Sequence, residues 1–584
     1  MAKYTSEKNA LILISLLKQY GIRKIIVSPG AMNVSFVGSI QSDDYFQIYS
    51  CVDERSACYM ACGLTEESGE PVALSCTGAT ASRNYFPGLT EAYYRKLPIL
   101  AITSAQFRGN VGHSIPQIID RTVQPNDLVK FSAQIPTINS KDDEWYCTIE
   151  INKALLALAH EGGGPVHINL VTEYSTDFDI TELPIARKIN RITSNSVFPE
   201  IPSNSKVGIF VGSHSKWSKQ LTSAVESFCE KHNGVVLCDR TSNYFGKYKV
   251  FPNLICDQDN YSSKNNDFDL LIHIGNISGA YMKLNAKNVW RVNPDGKIVD
   301  TFKCLTNVFQ MEEYDFFHHY QNNTNKKNTS FSQDWQKEFY DLQTKTVSCE
   351  LPFSNIWIAR EIHNKLPTES TLHLGILNSL RSWNYFDNQN TVYGYSNTGG
   401  FGIDGITSTI IGASLANPKK NIYGVIGDLA FFYDLNALGN RSIGNNIRLL
   451  LINNGCGTEF HNYSHAAQVF GDKVSNYIAA NGHFGNKSIN LVKQFSETLG
   501  FEYISASNIE EFKKYEDYFV SDKIYTKPVI FEIFTNSESE SQALKTIRSL
   551  ETSIKTKLKN DIKKNAKQII GSSAKQKLKK IIGR

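Results

Sequence analysis

Residues 421–428, NIYGVIGD, and residues 447–457, IRLLLINNGCG, decide the fold. Each is a short, largely apolar run that closes on polar turn residues. That is how a strand buried on both faces of a parallel sheet reads. Runs of the same kind recur at 24–28 (KIIVS), 71–76 (PVALSC), 97–103 (LPILAIT), 165–171 (PVHINLV), 207–212 (VGIFVG), 234–239 (GVVLCD), 269–275 (DLLIHIG) and 528–535 (PVIFEIFT). Helix-length segments separate most of them, so the expected class is α/β, with three doubly wound parallel-sheet domains. Polar, turn-rich stretches at 172–205 and 321–332 place the domains at 1–185, 186–345 and 346–545, followed by a basic tail at 546–584. A chain of 584 residues has room for them.

Hydrophobic residues make up 41% of the chain, aromatics 11% and charged residues 20%. This is the composition of a soluble globular protein and excludes a disordered one. No stretch approaches the ~20 apolar residues of a membrane span, and the N-terminus has no secretory-signal pattern. Eleven cysteines without a Cys-x-x-Cys pair fit reduced thiols in a cytoplasmic protein, against a disulfide scaffold or structural zinc. Between Ser553 and Arg584, eleven Lys and Arg face only Asp561, so the tail carries +10 and the rest of the +4 chain carries −6. A nucleic-acid enzyme spreads positive charge over its body, so no nucleic-acid partner is expected.

The two deciding strands bring Asp428 and the Asn453-Asn454 pair to one sheet edge. A carboxylate and a carboxamide there suit Mg²⁺, and the neighbouring glycines let backbone amides approach a diphosphate. Gly427-Asp428, with Leu429 where a third glycine is usual, followed by Asn453-Asn454, resembles the cofactor motif of thiamine-diphosphate-dependent enzymes. Residues 52–93, VDERSACYMACGLTEESGEPVALSCTGATASRNYFPGLTEAY, resemble the pyrimidine-binding half of that family, in particular of the menaquinone-pathway 2-succinyl-5-enolpyruvyl-6-hydroxy-3-cyclohexene-1-carboxylate synthases. Ser28-Pro29-Gly30, Gly164-Pro165-Val166-His167, Ser396-Asn397-x-Gly399 and Gly402-Ile403-Asp404-Gly405 carry the same resemblance, which covers about residues 1–540.

The resemblance implies pyrimidine, central and diphosphate domains, thiamine diphosphate and Mg²⁺, and a homodimer or homotetramer with the cofactor between two subunits. It makes Glu54 the carboxylate that shares a proton with the aminopyrimidine, a role a buried carboxylate can fill on physical grounds. Ile403 would be the apolar support beneath the cofactor, with Ser379, Gly402, Gly427 and Leu429 around it. Asp428, the Asn454 side chain and the Cys456 carbonyl would hold the metal. Asn33, His113, Gln117, Arg381, Thr398 and His461 would face substrate, with Glu459 and His113 as proton carriers.

One departure bears on substrate. Positions where the resemblance expects carboxylate-binding arginines hold Met32, Ala105, Thr398 and, in NSLRSW, Trp383, with Arg381 close by. Bidentate arginine is the ordinary answer to a carboxylate, so the menaquinone substrates are not expected here. The expected activity is a decarboxylating carboligase that moves an acyl-anion equivalent from a 2-oxo acid donor to an unspecified acceptor. The alternatives are a non-ligating 2-oxo acid decarboxylase and an inactive cofactor-fold scaffold at a membrane. The central segment VGIFVGSHS lacks a dinucleotide-binding glycine turn, which disfavours a nicotinamide enzyme. In the tail, Ile554, Leu558, Ile562, Ala566, Ile569 and Ile570 recur at helical steps among lysines. That pattern predicts a basic amphipathic helix and peripheral contact with an anionic membrane.

Overall fold

The structure, a computed structural model, describes residues 2–280, 282–321, 330–387, 391–483 and 487–551. The tail helix expected at 554–582 lies outside them. Among the described residues no helix is long and apolar enough to cross a membrane. The chain divides into two compact units, Met1–Val197 with Asp295–Gln310, and Phe198–Pro294 with Met311–Arg584.

The first unit is built on β1 (Lys24–Val27), β2 (Gln47–Ser50), β3 (Val72–Cys76), β4 (Ile99–Ala105), β5 (Phe131–Ile135) and β6 (Val166–Val171), ordered β2-β1-β3-β4-β6-β5. Every neighbouring pair is parallel. Alternation along the strands splits the core in two. Ile25, Leu100, Ile102 and Ile168 face one way, where helices Lys8–Gln19 and Lys141–Ala157 bury Leu13, Leu16, Ile151 and Ala154 against them. Ile26, Leu74, Ile99 and Ala101 face the other way, under helices Glu54–Ser68 and Phe86–Arg95. This is a doubly wound sheet, and its strand order reverses between β1 and β3.

The two covering helices pack closely because Gly88 has no side chain. A Cβ there would lie 2.6 Å from Cys58 Cβ. Gly88→Val is therefore expected to destabilise the protein by about 1–3 kcal/mol, read as a lower denaturant midpoint at unchanged m-value.

The chain continues with β7 (Asn190–Ile192), β8 (Val207–Val211), β9 (Val235–Cys238), β10 (Lys249–Val250), β11 (Asp267–Phe268), β12 (Leu270–Ile274), β13 (Asn285–Ala286), β14 (Val289–Val292) and β15 (Leu305–Phe309). In the second unit the order is β10-β9-β8-β12-β14, all parallel, and β11 pairs with β13. In the first unit β15 pairs with β7. The second unit also holds β16 (Thr371–Leu374), β17 (Tyr393–Tyr395), β18 (Ile422–Gly427), β19 (Ile447–Asn453), β20 (Glu502–Ala506) and β21 (Val529–Phe534). These form a parallel sheet ordered β17-β16-β18-β19-β21-β20, which reverses between β16 and β18. Ligands of open α/β sheets sit beyond the carboxyl ends of the strands at such reversals.

Candidate active site

The reversal in the second unit leads to Asp428. Gly427 ends β18 in extended backbone, and Asp428 opens the helix Asp428–Tyr433. The carboxylate is 4% exposed and accepts a hydrogen bond from the Gly455 backbone N at 2.8 Å. Gly455 has φ +76, in the left-handed region open to glycine, and this turn follows the strand β19. Burial pushes the Asp428 carboxyl up to about 7, with Glu532 adding like charge. A buried acid without a cationic partner is the environment a metal ion relieves.

The two asparagines after β19 differ in what they have left to give. Asn453 donates its amide to Glu532 Oε1 at 2.7 Å, and Tyr503 donates to Glu532 Oε2 at 2.7 Å. Asn453 is therefore committed to the sheet. Asn454 Oδ1 is buried and has no hydrogen-bond partner among the described residues. A buried carbonyl oxygen of this kind costs free energy unless something binds it. The Cys456 carbonyl accepts from Thr458 N at 2.9 Å and keeps a second lone pair, while burial raises the Cys456 thiol. Asp428 Oδ, Asn454 Oδ1 and one backbone carbonyl form an all-oxygen donor set that fits Mg²⁺.

Further unsatisfied donors lie along the same edge. The buried hydroxyls of Ser396, just after β17, and Thr407, in the first turn of the helix Ile406–Ala416, have no partner among the described residues. Hydroxyls and a helix N-terminus suit a diphosphate. Ser379 is buried on the helix Asn378–Trp383, where its hydroxyl accepts from Asn355 Nδ2 at 3.3 Å. Gly402 precedes Ile403, which is half-buried against the cluster of Ile406, Ile410 and Phe431. Thr398 is buried.

Arg381 and Glu459, read separately from sequence, meet. Arg381 Nη1 and Nη2 grip Glu459 Oε2 and Oε1 at 2.6 and 2.8 Å, and Asn462 Nδ2 adds a bond to Oε2 at 3.2 Å. Burial opposes the charge on Arg381, but the Glu459 hydrogen bond holds its pKa above the usual value. Both side chains are mostly buried, so removing one charge strands the other. Glu459→Gln is expected to cost on the order of 3 kcal/mol, measurable by chemical denaturation, with Arg381→Met/Glu459→Leu recovering much of it. His461 lies two residues on, with Ser475 Oγ 3.4 Å from its Nε2.

In the first unit Glu54 is the first residue of its helix, half-buried. Asp53 caps that helix by accepting from the Arg55 and Ser56 backbone N–H groups, leaving Glu54 free of that task. Asn84 Nδ2 donates to Glu54 Oε2 at 3.1 Å, a partner that sequence reading did not pick out. Asn33 is buried, and its amide donates to the Ser28 carbonyl at 3.1 Å, tying the loop after β1. His113 is exposed in the loop after β4. Gln117, with φ +66, lines a cleft of about 250 Å³ beside Met32 and Ala105. Among the described residues no cluster of three or more His, Cys, Asp or Glu side chains suggests a different metal site.

Comparison with known proteins identifies the family. Residues 8–124 match the thiamine pyrophosphate enzyme N-terminal TPP-binding domain. The 2-succinyl-5-enolpyruvyl-6-hydroxy-3-cyclohexene-1-carboxylate synthase of Bacteroides fragilis is 30% identical over 574 residues, covering 93% of this chain and 98% of its own length. The synthase of the same name from Phocaeicola vulgatus is 30% identical at the same coverages. That of Desulfotalea psychrophila is 26% identical, covering 76% of this chain and 84% of its own length. The chain is an enzyme whose cofactor is thiamine diphosphate with a divalent metal. It belongs to the thiamine-pyrophosphate-dependent enzyme family, among the relatives of 2-succinyl-5-enolpyruvyl-6-hydroxy-3-cyclohexene-1-carboxylate synthase.

Proposed function

We propose that this chain is a decarboxylating carboligase that transfers an acyl-anion equivalent from a 2-oxo acid to a second substrate. The observation that carries the reading is the unspent Asn454 Oδ1 near the buried, cation-seeking Asp428. In this reading Asp428, Asn454 and the Cys456 carbonyl hold Mg²⁺. Ser379, Gly402, Gly427 and Leu429 surround the cofactor and Ile403 supports it. When bound, thiamine diphosphate supplies a carbon nucleophile and accepts the electron pair left as CO₂ departs.

The protein's own residues handle protons and position. Glu54 holds a proton at its carboxyl against the aminopyrimidine, and the Asn84 amide fixes which oxygen faces away. His113 and Glu459 are the proton carriers for the reacting carbon. Glu459 is gripped by Arg381, so it reaches the reacting carbon when that pair opens. Asn33, Gln117, Arg381, Thr398 and His461 complete the substrate-facing set. Met32, Ala105, Thr398 and Trp383 supply no cation, which supports substrates other than those named for the relatives.

The division at 185, 345 and 545, assembly as a homodimer or homotetramer, and a cytoplasmic location with the basic tail on an anionic membrane belong to the same reading. Product analysis tests it. The enzyme is incubated with thiamine diphosphate, Mg²⁺, a panel of 2-oxo acids and candidate carbonyl or activated-alkene acceptors. A ligated product lacking CO₂ is expected by mass spectrometry. Aldehyde alone under every pairing would make the enzyme a plain decarboxylase.

A further inference from the structure

The grip of Arg381 on Glu459 sets a requirement. When the pair opens, two mostly buried charges separate, and the segments that carry them lose the bidentate tie between them. A second bond between the same segments is long: Asn462 Nδ2 reaches Asn378 Oδ1 at 3.4 Å. A third connection runs through Arg548.

Arg548 follows the helix Ser537–Ile547, and the three nitrogens of its guanidinium go to three different places. Nε donates to Tyr385 Oη at 3.4 Å, just beyond the helix that carries Arg381. Nη1 donates to Ser464 Oγ at 3.3 Å, in the loop that follows Glu459. Nη2 lies 3.7 Å from Asp257 Oδ2, and both of these side chains are mostly buried. Tyr385 is fully buried and gives its own proton to the same Asp257 oxygen at 3.0 Å, so its lone pair is what Arg548 meets. Donors spread over a rigid plane suit arginine to join several partners at once, which a lysine ammonium does less well.

The base of this bracket is anchored apart from both segments. Asp257 closes the short helix Asn253–Cys256. Beside it, Asp259 N donates to the Arg548 carbonyl at 2.8 Å, and Gln258 Nε2 donates to the Ile547 carbonyl at 2.9 Å. Tyr463, next to Ser464, is held from the same side, its hydroxyl on Asp259 and its backbone N on Ser541 Oγ at 2.8 Å. Charge follows the same layout. Burial opposes the Arg548 charge, but Tyr385 and Asp257 outweigh it and hold its pKa above the usual value. Arg548 bears on Arg381 with like charge, and Asp257 lies in the field of both cations.

The geometry points to Arg548 as a positioning residue, whose side chain keeps the Arg381 and Glu459 segments in register while their own pair opens and closes. Arg548 acts through Glu459 and needs no contact with substrate or cofactor. The assignment rests on the reading of Glu459 as a proton carrier, so its structural and kinetic consequences are measured separately.

The first measurement needs no turnover. Chemical denaturation of the full chain, as wild type, Arg381→Met, Glu459→Leu and the double variant, gives the coupling between Arg381 and Glu459 as a factor in the unfolding constant. Repeated in an Arg548→Met background, that factor is expected to shrink about ten-fold. Where Arg548→Met fails to fold, Ser464→Ala and Tyr385→Phe each remove one arm of the bracket, and each is expected to shrink the coupling about two- to five-fold. The second measurement is kcat with thiamine diphosphate, Mg²⁺ and a 2-oxo acid. Arg548→Met is expected to lower kcat about ten-fold and Arg548→Lys, which keeps the charge without the fork, by less, with cofactor affinity unchanged in both. In a Glu459→Gln background neither variant lowers kcat further, whereas a general weakening of the fold would multiply the two losses. Coupling unchanged in Arg548→Met, or in both Ser464→Ala and Tyr385→Phe, overturns the assignment, as does a kcat loss that multiplies with Glu459→Gln. Reduced coupling beside an untouched kcat would instead remove Glu459 from proton transfer and leave the bracket standing.

Discussion

Glu54→Gln is expected to lower cofactor-dependent CO₂ release by about 10²–10⁴-fold while thiamine diphosphate still binds within a few-fold of wild type. Glutamine keeps the shape and the Asn84 contact at one oxygen but cannot hold a proton between itself and a heterocycle. The loss therefore belongs in kcat rather than in KM. Asn84→Ala removes the 3.1 Å bond that orients Glu54 and is expected to cost about ten-fold, with the conservative Asn84→Asp failing to rescue it. A purely structural Glu54, serving only the start of its helix, predicts a loss of stability with activity intact. Asp53 already fills that capping role, so the two accounts separate cleanly.

The second large effect is at the metal. Asp428→Asn and Asn454→Ala are both expected to weaken Mg²⁺-dependent cofactor binding by about 10²–10³-fold, the cost of removing one partner from a buried charge-assisted contact. Asn453→Ala should behave differently. It leaves Glu532 Oε1 without its 2.7 Å donor, so its effect appears in unfolding, at about 1–3 kcal/mol, with metal affinity little changed. Calorimetric titration of thiamine diphosphate at fixed Mg²⁺ reads the first pair, and chemical denaturation reads the third. Equal losses of cofactor affinity at Asn453 and Asn454 would contradict the division of labour between them.

Legibility in the sequence followed burial. The central strands β3, β4, β6, β18, β19 and β21 lie inside their sheets and read as apolar runs. The edge strands did not. β2 is exposed at all four residues of QIYS, β20 (EYISA) is neither an apolar run nor a strict alternation, and the alternation of β5 (FSAQI) is a strand signal that a search for apolar runs passes over. β16 is buried but short, and His373 interrupts its run.

The site shows the same limit. Asp428 and the Asn pair were visible because the residues after two buried strands share an edge. The family resemblance pointed to Asn454 for the metal, but spacing alone could not separate it from Asn453, because the partner that occupies Asn453 is Glu532, 79 residues away and carried by β21. The pairing of Arg381 with Glu459 spans 78 residues, and nothing local to either announces it.

The most direct single measurement is CO₂ release from a panel of 2-oxo acids by wild type, Glu54→Gln and Asn454→Ala, each with and without thiamine diphosphate and Mg²⁺. Release by the wild type that requires both additions, and falls away in both variants, is what the arrangement of Glu54, Asp428 and Asn454 predicts. Undiminished release in either variant, or none in wild type shown to bind the cofactor across the whole panel, would contradict it.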